Sequence, residues 1–221
     1  MHADEPLVRS HSAYVAAKSG DSDAAYELVL AFLSPSKISE IETSGSHLNP
    51  ILVSAHAFER DGVNAIPEVL AETLAGRLGW EVEHDVVQTN IVSHTKADGF
   101  SRLARQAEFD GHIERGRNYL LVDDFIGQGG TLANLRGWVL EQGGFCFGAT
   151  VLTGKSFSAK LSVEPEQIDA LQEKHGDDLR KWWQNRFGFS YGCLTSSEAR
   201  YLIRTPSVDK IRNRIVEAGK I

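Results

Sequence analysis

One short segment of the chain brings together two acids, three glycines and a hydroxyl residue. It reads Tyr119-Leu-Leu-Val-Asp-Asp-Phe-Ile-Gly-Gln-Gly-Gly-Thr131. Asp123 and Asp124 follow an apolar run and can accept hydrogen bonds from neighbouring hydroxyls of a sugar. The glycines allow the backbone to approach closely, so that successive N–H groups can point at one phosphate. Thr131 adds a hydroxyl where a helix is predicted to begin, and a helix N-terminus favours an anion. The segment is therefore predicted to bind a phosphorylated ribose.

Two other glycine-rich phosphate motifs fit this segment poorly. A P-loop needs a lysine directly before its Ser or Thr, and Gly130 occupies that place. A dinucleotide-binding fingerprint has its glycines before the acid, whereas here the acids come first. Neither a nucleoside triphosphate site of the P-loop kind nor a Rossmann site is predicted.

Alternating helix and strand patterns surround the segment. We predict a helix at 21–33, a strand at 51–53, a helix at 67–78, a strand from Trp80 through Val87, a strand at 119–122, a helix after Thr131 and a last apolar run at 145–152. Residues 39–49 and 89–116 are read as polar connecting segments. Such alternation predicts an α/β fold with a mostly parallel central sheet flanked by helices, and ligands bind at the carboxyl ends of strands in such sheets.

The chain changes character beyond Lys155. Residues 164–183 are charged and helix-prone, and Thr195-Ser-Ser-Glu198 has the spacing of a capping box. We predict a single domain of residues 1–221, with an N-terminal helical segment at 1–47, a ligand-binding core at about 48–155 and a helical C-terminal addition at 156–221. Trp182 and Trp183 are expected to pack this addition onto the core, with stacking on a base as the alternative.

Composition bounds the function further. A formal net charge of -7 gives no broad electrostatic footprint for nucleic acid, so nucleic-acid binding is not expected. The two cysteines, Cys146 and Cys193, are far apart and form no disulfide or zinc pattern. No signal peptide or membrane-spanning run is recognised, and a cytoplasmic location is expected.

The run from Val122 to Thr131 resembles the phosphoribosyl pyrophosphate signature of the type I phosphoribosyltransferase family. This resemblance implies a type I phosphoribosyltransferase-like fold. It implies catalytic roles for Asp123 and Asp124. It also implies that the ribose 5-phosphate is bound by Phe125, Ile126, Gly127, Gln128, Gly129, Gly130 and Thr131. The sequence departs from the family at Gly127 and Gln128, where many members carry hydroxyl residues that help to hold the phosphate.

Within that family the chain is most similar to the ComF-like branch. The stretch His56-Ala-Phe-Glu-Arg-Asp-Gly-Val-Asn64 compares with a loop followed by Arg-x-Gly-x-Asn, and residues 93–105 with a mobile loop that closes over pyrophosphate. The resemblance, which spans about residues 51–153, assigns the pyrophosphate side to His56, Arg60, Asn64, Lys96, Arg102 and Arg105. A solvated loop, a local turn and a solvated helix face are the alternatives for these residues.

The implied reaction is displacement of pyrophosphate from phosphoribosyl pyrophosphate by a nitrogen acceptor, with a nucleobase as the expected acceptor. Mg²⁺ is expected to bind with the pyrophosphate, and no protein metal ligand is assigned. A homodimer is expected from the family. Two other functions stay open: a non-catalytic module that senses a nucleotide or phosphoribosyl pyrophosphate, and a ComF-like accessory protein of DNA uptake.

Overall fold

The computed structural model describes residues 1–55, 58–59, 62–90, 98–158 and 160–219. The chain divides into two compact units, each with its own hydrophobic core. The first unit comprises Met1–Ile91, Ala107–Ile126 and Asn134–Ser156, and the second comprises Val92–Gln106, Gly127–Ala133 and Phe157–Ile221.

The helices are α1 (Glu5–Ser10), α2 (Tyr14–Lys18), α3 (Ser22–Phe32), α4 (Pro35–Gly45), α5 (Ile66–Leu78), α6 (Gly99–Ala104), α7 (Gly130–Glu141), α8 (Pro165–Phe187), α9 (Ser196–Arg204) and α10 (Val208–Ala218). The strands are β1 (Ile51–Ser54), β2 (Phe58–Glu59), β3 (Gly62–Val63), β4 (Glu81–Glu83), β5 (Val87–Gln88), β6 (Phe109–Asp110), β7 (Asn118–Ile126) and β8 (Phe145–Gly154). Short 3-10 helices occupy Ser46–Leu48, Ser156–Ser158 and Tyr191–Cys193.

The central sheet lies in the first unit and has the strand order β4-β1-β7-β8, with every pairing parallel. All four residues of β1 are buried, as expected for a strand covered on both faces. Leu52, Leu70 and Leu120 belong to one core that also includes residues of α3 and α5. The predicted α/β fold, a mostly parallel sheet flanked by helices with a helical C-terminal region, is confirmed.

Local signals explain where α5 begins and ends. Pro67 lies in its first turn, where its missing N–H costs nothing, and the helix ends before Gly79, which has a φ of 71°. The region predicted as one strand between Trp80 and Val87 instead forms two short strands. Of these, β4 joins the central sheet, whereas β5 pairs antiparallel with β6 in a separate two-stranded sheet.

Other sequence-based boundaries were also wrong, and residues 89–116, read as a connecting segment, contain α6 and β6. The polar stretch at 39–49 is mostly helical, because α4 begins at Pro35 after Ser34, whose hydroxyl accepts a hydrogen bond from the N–H of Lys37. A serine N-cap followed by proline is a strong local start signal that polarity does not cancel. The third predicted strand was too short, since β7 continues through both acids to Ile126.

The core of the second unit is built from α6, α8, α9 and α10. The side chain of Trp183 is fully buried there, with rings of Phe187 and Tyr191 at centroid distances of 4.5 and 6.2 Å. The capping box at Thr195 and Glu198 is confirmed at the start of α9. Across the described ranges, no helix is both long enough and apolar enough to cross a membrane.

Candidate functional site

The two acids of the segment lie near the carboxyl end of β7, between β1 and β8. The neighbouring strand β1 ends at Ser54, and the next residue, Ala55, donates its N–H to the carbonyl of Val122 at 2.8 Å. Asp123 and Asp124 are 7% and 9% exposed. Ligands of open parallel sheets bind at this edge, and both carboxyls lie there in a largely buried environment.

Burial and mutual repulsion shape the charge of this acid pair. Desolvation raises the pKa of Asp123 well above its usual value, and the adjacent carboxyl of Asp124 raises it further. The backbone N–H of Asp124 donates to Asp123 Oδ1 at 2.8 Å. Lys18 Nζ lies 3.1 Å from Asp124 Oδ2, and both side chains are largely buried. The pair therefore carries less negative charge than two solvated aspartates would.

The N-terminal helices bring cations to the same end of β7, and no sequence pattern predicted this. The Arg9 guanidinium lies 5.2 Å from the centroid of the Phe125 ring. Glu5 Oε1 is 2.8 Å from Arg9 Nε, and Glu5 Oε2 is 2.5 Å from Lys155 Nζ. The hydrogen bond from Lys155 is the main reason that the pKa of Glu5 is below its usual value. Lys18 and Arg9 thus join the predicted site residues at the strand end.

The chain passes from Ile126 at the end of β7 into residues 127–131, here termed the glycine loop. Gly129 has a φ of 86°, a conformation that glycine adopts without strain. The helix α7 begins at Gly130, so Thr131 lies in its first turn as predicted. Gly127, Gln128 and Gly130 keep part of their surface exposed, whereas Gly129 is buried. Within the ranges that the structure describes, the N–H groups of Gln128 and Gly129 have no hydrogen-bond acceptor.

The residues predicted on the pyrophosphate side are placed only in part. His56, Arg60 and Lys96 lie outside the described residues. Asn64 is buried in the first unit, where its Oδ1 accepts a hydrogen bond from the N–H of Ile66 at 3.2 Å. This local contact stabilises the start of α5.

Arg102 and Arg105 both belong to the second unit. Burial lowers the pKa of Arg102 from its usual value. Arg105 donates from Nη2 to the carbonyl of Ala218 at 3.1 Å. Their roles toward a ligand therefore remain predictions, as does that of Asn64.

One further cluster has metal-ligand composition. Potential ligand atoms of Glu68, Glu72 and His84 all lie within 4.8 Å of one another in the first unit. His84 Nδ1 is 3.5 Å from Glu68 Oε1, and both side chains are substantially exposed. Exposed acidic groups commonly have such spacing without holding an ion, so the cluster assigns no metal by itself.

Two proteins of known sequence are similar to this chain. A protein of Escherichia coli named Protein TraN is 40% identical over 205 residues, which cover 93% of this chain and 46% of that protein. An uncharacterized protein of Haemophilus influenzae is 34% identical over 133 residues, covering 60% of this chain and 30% of that protein. The chain thus spans less than half the length of either relative. No protein-family model matches it.

The solved structures that resemble the chain include adenine phosphoribosyltransferases. One of them is 16% identical to this chain with a TM-score of 0.36, and the alignment covers 59% of this chain and 76% of the enzyme chain. The enzymes of Thermoanaerobacter pseudethanolicus and Rhodothermus marinus are 21% and 18% identical to this chain, each with a TM-score of 0.37. Each alignment covers 59% of this chain, and the two cover 74% and 73% of the respective enzyme chains. Because these TM-scores are low, we take the fold from the strand order and the flanking helices.

Proposed function

We propose that this protein binds phosphoribosyl pyrophosphate and transfers its phosphoribosyl group to a nitrogen acceptor, with a nucleobase as the expected acceptor. The proposal depends most on one continuous segment. In it, β7 presents two adjacent buried carboxyls and leads directly into a loop at the start of α7, where the N–H groups of Gln128 and Gly129 have no acceptor among the described residues. Carboxylates suit ribose hydroxyls, and N–H groups before a helix suit a phosphate.

In the proposed reaction, the acceptor nitrogen forms a bond to the anomeric carbon as the bond to the pyrophosphate oxygen breaks. The acceptor nitrogen gives its proton to water, and pyrophosphate leaves with the electron pair of the broken bond. Asp123 and Asp124 would hold the ribose hydroxyls, and the glycine loop would hold the 5-phosphate, so that the anomeric carbon is kept in one place. Positioning of this kind lowers the entropic part of the barrier.

We expect Mg²⁺ to bind with the pyrophosphate of the substrate, whose oxygens suit this hard ion, and no residue of the chain is assigned as its ligand. When bound with the substrate, the ion would neutralise part of the pyrophosphate charge. The ammonium of Lys18 forms an ion pair with Asp124 and already neutralises part of the charge of the acid pair.

Ligand-induced stabilisation tests the proposal. The melting temperature of the wild type should rise with Mg²⁺ and phosphoribosyl pyrophosphate, by an amount set by ligand concentration over Kd. The double variant Asp123→Asn, Asp124→Asn should lose this rise. The control is Asp177→Asn, Asp178→Asn, an adjacent pair of exposed aspartates in α8 that should keep it. A wild type that shows no rise at saturating ligand would refute the proposal.

A non-catalytic sensor is the second candidate. It is favoured by Gly127 and Gln128, which replace hydroxyl residues of the family signature, and by the contact of Lys18 with Asp124. A sensor would be stabilised by phosphoribosyl pyrophosphate but would release no pyrophosphate with any base. Pyrophosphate release, measured across adenine, guanine, hypoxanthine, uracil and orotate, separates the two candidates.

Three finer assignments belong to the same proposal. Placement in the ComF-like branch is supported by the spacing of Gly62 and Asn64. A cytoplasmic location suits Cys146 and Cys193, which are both free thiols. A homodimer follows only from the proposed family, and sedimentation analysis would test it.

A further inference from the structure

Two hydroxyls of the C-terminal region bind consecutive carbonyls of the glycine loop, and all four residues belong to the second unit. Ser158 Oγ donates to the carbonyl of Gly127 at 2.5 Å. Thr195 Oγ1 donates to the carbonyl of Gln128 at 2.7 Å. The two donors come from different stretches of the chain, and Ser158 Oγ also lies 3.2 Å from Ser197 Oγ of α9.

These contacts also determine where two N–H groups of the loop point. In a planar trans peptide, the C=O of one residue and the N–H of the next project to opposite sides. Ser158 therefore orients the N–H of Gln128, and Thr195 orients the N–H of Gly129. Both N–H groups point away from the hydroxyls, and neither has an acceptor within the part of the chain that the structure describes.

The hydroxyl of Thr195 has two simultaneous tasks. Besides donating to Gln128, it accepts the backbone N–H of Glu198 at 3.1 Å, which caps α9. In turn, the Glu198 carboxyl accepts a hydrogen bond from the backbone N–H of Thr195 at 2.8 Å. Thr195 is 0% and Ser158 1% exposed. Buried hydroxyls are costly unless they are hydrogen-bonded, and here the loop carbonyls supply the acceptors.

The same region explains why Gly130 is a glycine. A Cβ at this position would lie 2.9 Å from Glu198 Oε1, closer than a side chain normally allows. The start of α9 therefore packs directly against the first residue of α7. The space that a side chain at position 130 would need is occupied by Glu198.

We propose that Ser158 and Thr195 are positioning residues of the phosphate site, so that the C-terminal addition is a working part of that site. This inference rests on the proposed function, because that function assigns the 5-phosphate to the glycine loop. The two residues do not touch the phosphate. They act by holding the carbonyls of Gly127 and Gln128, which directs the next two N–H groups toward one anion.

The test compares Thr195→Ala with a matched loss of a helix cap. Ser207 caps α10 by accepting the N–H of Lys210 at 3.3 Å, and Ser207→Ala removes that cap. Kd is measured by calorimetry for ribose 5-phosphate and for phosphoribosyl pyrophosphate with Mg²⁺. Thr195→Ala should weaken both by about tenfold, the usual effect of losing one hydrogen bond. Ser207→Ala should stay within about twofold of the wild type.

A conservative variant that restores the hydroxyl distinguishes a positioning role from a general loss of structure. Thr195→Ser keeps the hydroxyl and should bind ribose 5-phosphate within about threefold of the wild type. If Thr195→Ala does not fold, Ser158→Ala replaces it, because Ser158 holds the loop without capping α9. The same loss of about tenfold is expected there.

The outcomes distinguish this inference from the proposed function. If the wild type binds phosphoribosyl pyrophosphate but Thr195→Ala and Ser158→Ala bind as tightly, only the positioning role is refuted. If Thr195→Ala and Ser207→Ala weaken ligand binding equally, the effect of Thr195 comes from lost helix stability, and the positioning role is likewise refuted. If the wild type binds neither ribose 5-phosphate nor phosphoribosyl pyrophosphate, the proposed function fails, and the positioning role fails with it.

Discussion

Replacing Glu198 by glutamine should change how the stability of the protein depends on pH. Burial raises the pKa of this carboxyl from 4.5 to about 7, against the opposing effect of its hydrogen bond from Thr195. Only 8% of the residue is exposed. Glutamine is also accepted at this position of a capping box, so the variant should keep the bond from Thr195 and the start of α9.

The sign follows from which state holds the proton. Below pH 4.5 the carboxyl is neutral in both the folded and the unfolded chain, and its contribution to stability is fully present. Between pH 4.5 and 7 the unfolded chain ionises while the folded chain does not, so stability is lost as the pH rises through the folded pKa. At about 1.4 kcal/mol per pH unit, the loss reaches about 3 kcal/mol by pH 8.

Urea unfolding followed by circular dichroism at several pH values from 4 to 8 measures this effect. The difference in unfolding free energy, variant minus wild type, should rise by about 3 kcal/mol over that range. The raised pKa of Asp123 is present in both proteins and cancels in the difference. Glu166→Gln, which removes an exposed carboxyl from the first turn of α8, should differ from wild type by less than about 0.5 kcal/mol throughout. A flat or falling difference for Glu198→Gln would refute the burial argument.

Three further substitutions test individual contacts and backbone conformations, with unfolding in urea as the measurement. Lys18→Met should lower the unfolding free energy at pH 7 by about 2 kcal/mol, since Asp124 loses the ammonium that lies 3.1 Å from its Oδ2. An unchanged stability would contradict this. Gly154→Ala should lower the unfolding free energy by about 3 kcal/mol, because the added Cβ would lie 2.4 Å from Ile126 Cγ2 and 2.6 Å from the Ile126 carbonyl oxygen. Gly148→Ala in the same strand is the control. Its Cβ would have its nearest contact at 3.6 Å, so this variant should lose no more than about 1 kcal/mol. Gly129→Ala should cost about 1 to 2 kcal/mol because its φ is 86°, and an unchanged stability would mean that the loop adopts another conformation in solution.

Local patterns in the sequence were enough to predict most elements near the site. The apolar run before Asp123, the glycines after Ile126 and the capping box at Thr195 each predicted a feature that the structure contains. These signals act over a few residues, through backbone conformation and burial, and a sequence displays them directly. Where prediction was wrong, as at Pro35, one local signal outweighed another.

Contacts between distant parts of the chain were decided by the tertiary structure. Lys18 reaches Asp124 across 106 residues, and Thr195 reaches Gln128 across 67. Neither residue has a sequence pattern that marks its partner, because a hydrogen bond between remote residues depends on how packed elements meet. The sequence by itself therefore determined the segment that we propose as the ribose phosphate site and the parallel strands that present it. Only the packing of the helices decided which side chains neutralise its acids and which hydroxyls hold its loop.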